Sequence, residues 1–192
     1  AAVREWGVDG ALPRMQGMFA FGLWDREERT LTLVRDRVGK KPLYYGRFGD
    51  VFLFGSELKA LRRHPAFRGD IDHDALGTFI QYSWIPSPWS IFKDVKKLPP
   101  GTSLTISGAG VEDRPRAYWS ARETAERGER EPFTGSAVEA VDALDELLRD
   151  AVSERMIADV SLGAMLSGGF DSTLVVAIMQ ALSREPVRTF SI

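Results

Sequence analysis

The C-terminal part of the chain carries the pattern that most restricts its fold: an apolar run, a polar loop, an apolar helix and a second apolar run. Residues 160–166 (VSLGAML) have the composition of a buried strand, and residues 172–183 (STLVVAIMQALS) that of a mostly apolar helix. Residues 187–192 (VRTFSI) begin a second strand. This order predicts a βαβ unit with parallel strands and a right-handed crossover. The fold class expected at this end is therefore α/β.

A parallel sheet needs helices on both of its faces, and one βαβ unit with one further helix does not supply them. We therefore expect the covering elements to lie beyond Ile192, in a longer protein of which this chain is an internal piece. The first residue, Ala1, is not Met, and the last residues fall inside a predicted strand. Both observations favour the same expectation.

The further helix is predicted directly before the βαβ unit. Ser136 and Glu139 form an S-x-x-E capping box, in which each side chain satisfies a free backbone N–H group of the other residue. Apolar residues then recur at three- or four-residue steps and predict one apolar helix face: Val138, Val141, Leu144, Leu148 and Val152.

The first part of the chain favours antiparallel strands. Residues 18–25 and 30–36 are apolar or alternating runs around a polar REER segment, which is typical of a hairpin. Residues 42–48 and 51–56 form a second pair, joined by Gly49 and Asp50 as a two-residue turn. A Pro-Gly turn at residues 100–101 predicts a further strand after it.

Two helices are expected between these strands. The first covers residues 56–64, with Ser56 as its N-cap and Pro65 ending it. The second covers residues 72–82, with Asp72 or Asp74 as its cap. Residues 120–135 (SARETAERGEREPFTG) are highly charged and partly helix-favouring, which indicates an exposed connector. The boundaries predicted are thus residues 1–119 for the first domain, 120–135 for the connector and 136–192 for the second domain.

Composition excludes several kinds of site. The chain has no cysteine, so it offers no disulfide, thiolate zinc site or cysteine nucleophile. Its two histidines, His64 and His73, lack the spacing of a zinc motif. The net charge of −2 does not favour nucleic-acid binding. No apolar run approaches the roughly 18 residues of a membrane helix, and residues 1–10 lack a signal-peptide pattern. We expect a soluble, cytoplasmic protein that binds neither nucleic acid nor membrane.

The polar loop LSGGFDST (residues 166–173) lies where a parallel strand is expected to end and a helix to begin. Free N–H groups and the helix dipole favour anions at such a point. Gly168 and Gly169 allow close approach of the backbone to a phosphate, and Ser167, Ser172 and Thr173 can donate hydrogen bonds to it. Asp171 fits if it caps the helix or if Mg²⁺ lies between it and the phosphate.

The residues alone leave a second interpretation open. A glycine turn followed by Asp171 or Ser172 as an ordinary helix cap explains the same residue types without a ligand. The other common phosphate loops do not fit, because neither a Walker A lysine nor a G-x-G-x-x-G pattern is present.

Several motifs in fixed order resemble those of one family. LSGGFDST resembles the SGG-x-DS loop of the PP-loop ATP pyrophosphatases, which include tRNA-thiolating enzymes and argininosuccinate, guanylate and NAD synthetases. The segments MQGMFAFGLWD, RDRVGKKPLYYG, FGSELKAL and KLPPGTSLTI, in residues 15–106, look like the second half of a class II glutaminase domain. Together they resemble the glutamine-hydrolysing asparagine synthetases, over nearly the whole chain.

The resemblance implies part of an α+β Ntn-hydrolase sandwich followed by the start of an adenine-nucleotide α-hydrolase-like parallel sheet. It also implies ammonia release from glutamine, adenylation of the aspartate side-chain carboxylate by ATP and Mg²⁺, and attack of ammonia on the acyl-adenylate. The substrates implied are thus glutamine, aspartate and ATP, and we also expect a homodimer. Asp171 is the candidate Mg²⁺ ligand. Carried over by position, the ATP and pyrophosphate site comprises Leu166, Ser167, Gly168, Gly169, Asp171, Ser172 and Ile192.

The chain also departs from the family pattern. The family's N-terminal cysteine nucleophile is missing, so no catalytic residue is assigned and the fragment itself is expected to be inactive. Phe170 is bulkier than the usual Leu, Ile or Val and could alter packing behind the loop. RDRVGKKPLYY receives no catalytic role and is interpreted as structural. Two alternatives stay open for the parent protein: a relative that amidates a sugar acid or peptide carboxylate, and a non-catalytic homologue.

Overall fold

The structure is a computed structural model that describes residues 2–107, 110–111 and 114–191. The chain divides into two compact units, Ala1–Arg127 and Gly128–Ile192. The division lies within the charged segment 120–135, where the helix α4 (Ala121–Arg130) is found. Helices and strands occur in both units, as expected for an α/β protein.

The first unit opens with α1 (Ala2–Ala11), which is kinked at Gly7, where φ is +68°. A short 3-10 turn, Leu12–Arg14, follows it. The first sheet is built on β1 (Ala20–Asp25), β2 (Thr30–Arg35) and β6 (Thr102–Ser107), which pair antiparallel in the order β1-β2-β6. Two short strands, β7 (Gly110–Val111) and β8 (Arg116–Ala117), both pair with β6. The predicted first hairpin is confirmed.

The second sheet has the order β4-β3-β5. Its strands are β3 (Tyr44–Phe48), β4 (Val51–Gly55) and β5 (Val95–Lys97), and all pairs are antiparallel. Gly49 has a φ of +63° in the turn between β3 and β4, a conformation that glycine adopts without strain. The predicted Gly-Asp hairpin turn is therefore confirmed.

Two helices lie between β4 and β5. The helix α3 (His73–Tyr82) is capped by Asp72, whose carboxylate accepts hydrogen bonds from the N–H groups of Asp74 and Ala75. The helix α2 (Leu58–Leu61) is much shorter than predicted, and its N-cap is Glu57 rather than Ser56, with no side-chain capping bond. The prediction for Ser56 was wrong because the chain leaves strand β4 at Gly55 and is still extended at Glu57.

The main core of this unit lies between its two sheets. Leu33, Leu104 and Ile106 of the first sheet form one buried cluster with Leu43, Tyr45 and Leu98. A second cluster, made of Phe48, Leu61, Phe92 and Val95, lies where α2 and β5 meet β3. Two sheets packed face to face are the sandwich arrangement that the sequence led us to expect.

The second unit contains α5 (Ala137–Arg155), β9 (Ala164–Met165), α6 (Phe170–Leu182) and β10 (Thr189–Phe190). β9 and β10 are parallel, which confirms the βαβ order. Both strands are shorter than predicted, since only residues 164–165 and 189–190 pair with each other. The capping box of Ser136 and Glu139 is present at the start of α5.

The apolar face of α5 is only partly covered. Val152 is buried against Ile178 and Met179 of α6, and Leu148 packs on the same cluster. Val138, Val141 and Leu144 on the first half of α5 are exposed by 56–70%. The predicted apolar face of α5 is therefore present, but among the described residues only its C-terminal half is packed. No helix in the described part of the chain has both the length and the apolar character needed to cross a membrane.

Candidate functional site

The loop 166–169 connects the end of β9 to the start of α6. Its first residue is tied to the neighbouring strand, because Leu166 N donates to Phe190 O at 2.8 Å. Ser191 Oγ also donates to Leu166 O at 2.7 Å. The loop thus leaves the carboxyl edge of the parallel pair at a fixed point. Ser191 was not among the predicted site residues, and its only signal in the sequence is a hydroxyl within the second predicted strand.

Gly168 adopts a conformation that other residues rarely tolerate. Its φ is +81°, and no atom lies within 4 Å of the position where a Cβ would be. The backbone conformation, rather than the space around it, therefore requires glycine here. Gly169 follows as the N-cap of α6, in an extended conformation.

The first turn of α6 directs N–H groups out of the helix end. Thr173 N makes the first backbone bond of the helix, to Gly169 O at 3.1 Å. The N–H groups of residues 170–172 consequently have no acceptor within the helix. Asp171 and Ser172 lie inside this turn, and no side chain caps the helix. The alternative interpretation of Asp171 or Ser172 as the helix cap is therefore wrong.

Two hydroxyls join the loop to the helix. Ser167 Oγ lies 3.0 Å from Ser172 Oγ, which in turn donates to Gly169 O at 3.1 Å. Ser167, Gly168, Gly169 and Asp171 are exposed, and Ser172 is half-buried. The loop therefore presents backbone N–H groups, hydroxyls and one carboxylate to solvent at a helix start, where the dipole favours an anion.

The structure brings six of the seven predicted site residues together in this loop and first turn. The seventh, Ile192, lies outside the described residues. Phe170, whose bulk was expected to affect the packing behind the loop, is 97% exposed. Its ring is therefore not packed against any part of the chain that the structure describes.

Asp171 is the only carboxylate of the loop LSGGFDST. Within the described ranges, no group of three or more His, Asp or Glu residues is placed to hold a metal ion. If a Mg²⁺ ion bound at Asp171, the loop itself would supply one carboxylate ligand.

Hydrogen bonds from the Arg35 side chain to backbone carbonyls hold the basic segment 35–41 of the first unit in place. Arg35 donates to three carbonyls, those of Lys41 at 2.8 Å, Leu98 at 2.7 Å and Gly39 at 2.7 Å. Burial lowers the pKa of Arg35, although the negative charge of Asp36 opposes this shift. These contacts support the structural role that the sequence analysis gave to the segment.

Family comparisons match both units. Residues 1–119 match the model of the glutamine amidotransferase domain, and residues 143–192 match the asparagine synthase model. The chain is similar to asparagine synthetase [glutamine-hydrolyzing] 3 of Bacillus subtilis, with 34% identity over 98% of this chain and 30% of the relative. A putative asparagine synthetase [glutamine-hydrolyzing] 2 of Methanocaldococcus jannaschii is 35% identical over 92% of this chain and 33% of the relative.

A third relative has a different name. The amidase chyE of Penicillium rubens is 32% identical over 96% of this chain and 26% of the relative. The chain thus spans about a third or less of the length of the curated relatives it matches.

Proposed function

We propose that this chain, which belongs to the glutamine amidotransferase domain family, is part of an ATP-dependent asparagine synthetase. The chain also carries the start of an asparagine synthase domain. The parent protein releases ammonia from glutamine, adenylates the side-chain carboxylate of aspartate with ATP, and transfers ammonia to the activated acyl group. Adenylation is required because a free carboxylate is a poor electrophile and AMP is a good leaving group.

The observation that carries this proposal is the geometry of residues 166–172. A glycine with a φ of +81°, N–H groups without an acceptor in the helix and two linked hydroxyls converge at the first turn of α6. Apart from Ser172, which is half-buried, the residues that carry these donors are exposed, and they follow a parallel strand directly, as anion sites in α/β proteins do. This arrangement supports a pyrophosphate site made of Leu166, Ser167, Gly168, Gly169, Asp171 and Ser172. The resemblance alone adds Ile192, which lies outside the described residues, as a residue beside the nucleotide.

The donor set suits the phosphates of ATP. Backbone N–H groups at residues 170–172 and the Ser167 hydroxyl supply hydrogen bonds to phosphate oxygens, while the missing side chain at Gly168 leaves room for them. Asp171 is the candidate ligand of a Mg²⁺ ion that offsets the charge between its carboxylate and the phosphates.

Glutamine hydrolysis in this family needs a cysteine nucleophile, and none of these 192 residues is a cysteine. The resemblance places that cysteine at the N-terminus of the parent protein. We therefore propose that the first unit contributes the sandwich scaffold of the glutaminase, and that neither half-reaction is completed by this chain alone.

The nucleotide site can be tested by calorimetric titration of the chain with ATP, with and without Mg²⁺. The expected result is binding that Gly168→Ala abolishes or strongly weakens, because alanine is strained at this φ. Asp171→Ala should weaken Mg-ATP binding more than binding of metal-free ATP. Asp142→Ala, an exposed position on α5, is the matched control and should bind as the unmodified chain does. Binding that ignores the Gly168 and Asp171 substitutions would refute the site.

The acceptor is tested on the parent protein. Incubation with aspartate, ATP and glutamine should yield asparagine, AMP and pyrophosphate in equal amounts. A second candidate is an amidotransferase acting on another carboxylate, since one relative carries a name other than asparagine synthetase. Turnover of a sugar acid or peptide acid, with aspartate inert, would select that candidate instead.

A further inference from the structure

A groove in the first unit, here named the Lys97 groove, is separate from the loop LSGGFDST. It has a volume of about 310 Å³ and is lined mainly by apolar side chains. Those used below are Tyr44, Leu58, Phe79, Trp84, Ile91 and Lys97. This volume is at the lower end of the range of small-molecule sites, roughly 300–1,000 Å³.

The floor of the groove is firmly packed. Tyr44, Leu58 and Ile91 pack against the second core cluster of this unit. Ser90 at the same floor is 1% exposed, and its hydroxyl both donates to Phe92 O and accepts from Phe92 N at 3.1 Å. The floor of the groove is therefore formed by side chains that pack on the core of this unit.

The rim of the groove leaves two large rings in contact with solvent. Phe79 at the side of α3 is 48% exposed, and Trp84 in the following loop is 59% exposed. Aromatic rings at the mouth of a groove provide apolar contact area for a ligand without the loss of much side-chain freedom.

Lys97 fixes the loop that forms this rim. Its backbone N–H donates to Pro88 O at 2.8 Å, and its carbonyl accepts from Ser87 Oγ at 3.3 Å. Its ammonium group donates to the carbonyl of Ile85. The charged end of Lys97 is thereby held at the groove beside aromatic and aliphatic side chains.

The positive charge of Lys97 has no carboxylate partner among the described ion pairs. Burial lowers its pKa, and the positive charge of Arg35 lowers it further. Asp36, the carboxylate that offsets Arg35, already accepts hydrogen bonds from the backbone of Lys40 and Lys41. An anion arriving from outside would therefore be stabilised at Lys97.

We propose that the Lys97 groove binds a small carboxylic acid with an aromatic or branched apolar body. The carboxylate lies against the ammonium of Lys97, and the apolar body contacts Phe79 and Trp84. The complementarity is both of charge and of surface, since the ammonium has two N–H donors besides the one that bonds to Ile85 O, and the walls are mainly apolar.

The test is a titration of the chain with phenylacetate, hydrocinnamate and indoleacetate, followed by the NMR signals of the Trp84 indole N–H and the Lys97 backbone N–H. Each acid is paired with its neutral primary amide, which has nearly the same shape. The expected result is saturable shifts with at least one acid, and binding of its amide about tenfold weaker or more, because a charge-assisted bond is lost.

Variants separate the charge from the fold. Lys97→Met should weaken acid binding to the level of the amide, and Lys97→Arg should restore most of it. Lys96→Met is the matched control, since Lys96 is exposed on the same strand and loses the same charge. Equal binding of acid and amide to the unmodified chain, or no shift at Trp84 and Lys97 with any acid, overturns the proposal without reliance on a variant.

Discussion

Asp36 is the residue on which the basic segment of the first unit most depends. Its side chain is fully buried, and its two carboxylate oxygens accept from Lys40 N and Lys41 N, each at 2.9 Å. Its carbonyl accepts from Gly39 N at 3.0 Å and Gly101 N at 2.9 Å. One residue thus satisfies four backbone donors, and it holds residues 39–41 and the start of β6 in place.

We expect Asp36→Ala to lower the free energy of unfolding of the first unit by roughly 2–4 kcal/mol, because the N–H groups of Lys40 and Lys41 lose their carboxylate acceptors. Urea unfolding followed by tryptophan fluorescence measures this, since all five tryptophans lie in residues 6–119. Asp94→Ala, at an exposed position, should change the same quantity by less than about 0.5 kcal/mol. Equal effects of the two substitutions would contradict the argument.

Tyr118 gives a prediction that depends on pH. Its hydroxyl donates to Arg35 O at 2.7 Å. Burial, and after it the negative charge of Asp36, raises the pKa of Tyr118 to about 12, against the opposing charge of Arg37. Because the folded pKa is above the ordinary value of 10.0, the contribution of Tyr118 to stability is complete below pH 10 and is lost as the pH rises through about 12.

The measurement is the tyrosinate absorbance of the folded chain as a function of pH, with circular dichroism to verify folding at each point. The unmodified chain should show a component near pH 12 that belongs to Tyr118 and is missing from Tyr118→Phe. If the component is absent from the unmodified chain, or persists in the variant, the predicted environment of Tyr118 is wrong.

At the scale of the elements, the start of α5 provides a local test. Ser136 Oγ accepts from Glu139 N at 3.3 Å, and Glu139 Oε2 accepts from Ser136 N at 2.7 Å. The backbone hydrogen bond from Ser136, followed by the one from its hydroxyl, lowers the pKa of Glu139 from 4.5. The stabilisation is present above that ordinary value and is lost as the pH falls through the lowered pKa.

We expect Ser136→Ala to bring the pKa of Glu139 closer to its ordinary value, because one of the two bonds to the carboxylate disappears. NMR titration of the Glu139 side-chain carbon measures this pKa directly. Ser153→Ala, near the other end of the same helix, should leave the pKa of Glu139 unchanged and serves as the control. A Glu139 pKa that is identical in the variant would show that the capping box does not form in solution.

The elements that could be predicted from sequence are those whose signal is local. The Asp72 cap, the Ser136–Glu139 box and the Gly49 turn each depend on residues within four positions, and the structure confirms all three. The strand predicted at residues 160–166 shrinks to Ala164–Met165, because a strand exists only where a partner pairs with it and β10 pairs over two residues. A hydrophobic run in the sequence does not show over which residues a partner strand will pair with it.

The candidate loop likewise has features that the sequence predicts and features that it does not. Its position between strand and helix follows from sequence, whereas the cap at Gly169 and the bond from Ser191 to Leu166 do not. The latter joins residues 25 positions apart, and no periodicity predicts such a contact. The role of the loop in holding pyrophosphate stays a prediction that the titrations above are designed to test.

At the scale of the whole molecule, the two units differ in how much apolar surface they bury. Two clusters with ten buried residues hold the first unit together, and one cluster of Val152, Ile178 and Met179 holds the second. Large apolar side chains remain exposed along the second unit, including Val141, Leu147 and Phe170 at 64%, 66% and 97%. Since burial of apolar surface is the dominant stabilising term, local stability should be uneven along the chain.

Hydrogen–deuterium exchange followed by mass spectrometry tests this expectation. Amides of β2 and β6, which flank the core between the sheets, should exchange most slowly after correction for intrinsic rates. The first half of α5 should exchange much faster, with protection rising toward Leu148 and Val152, where the helix packs on α6. This gradient is the discriminating feature, because a helix stabilised by its own backbone bonds alone would fray similarly at both ends. Protection of residues 138–144 equal to that of β2 would mean that in solution this face is covered.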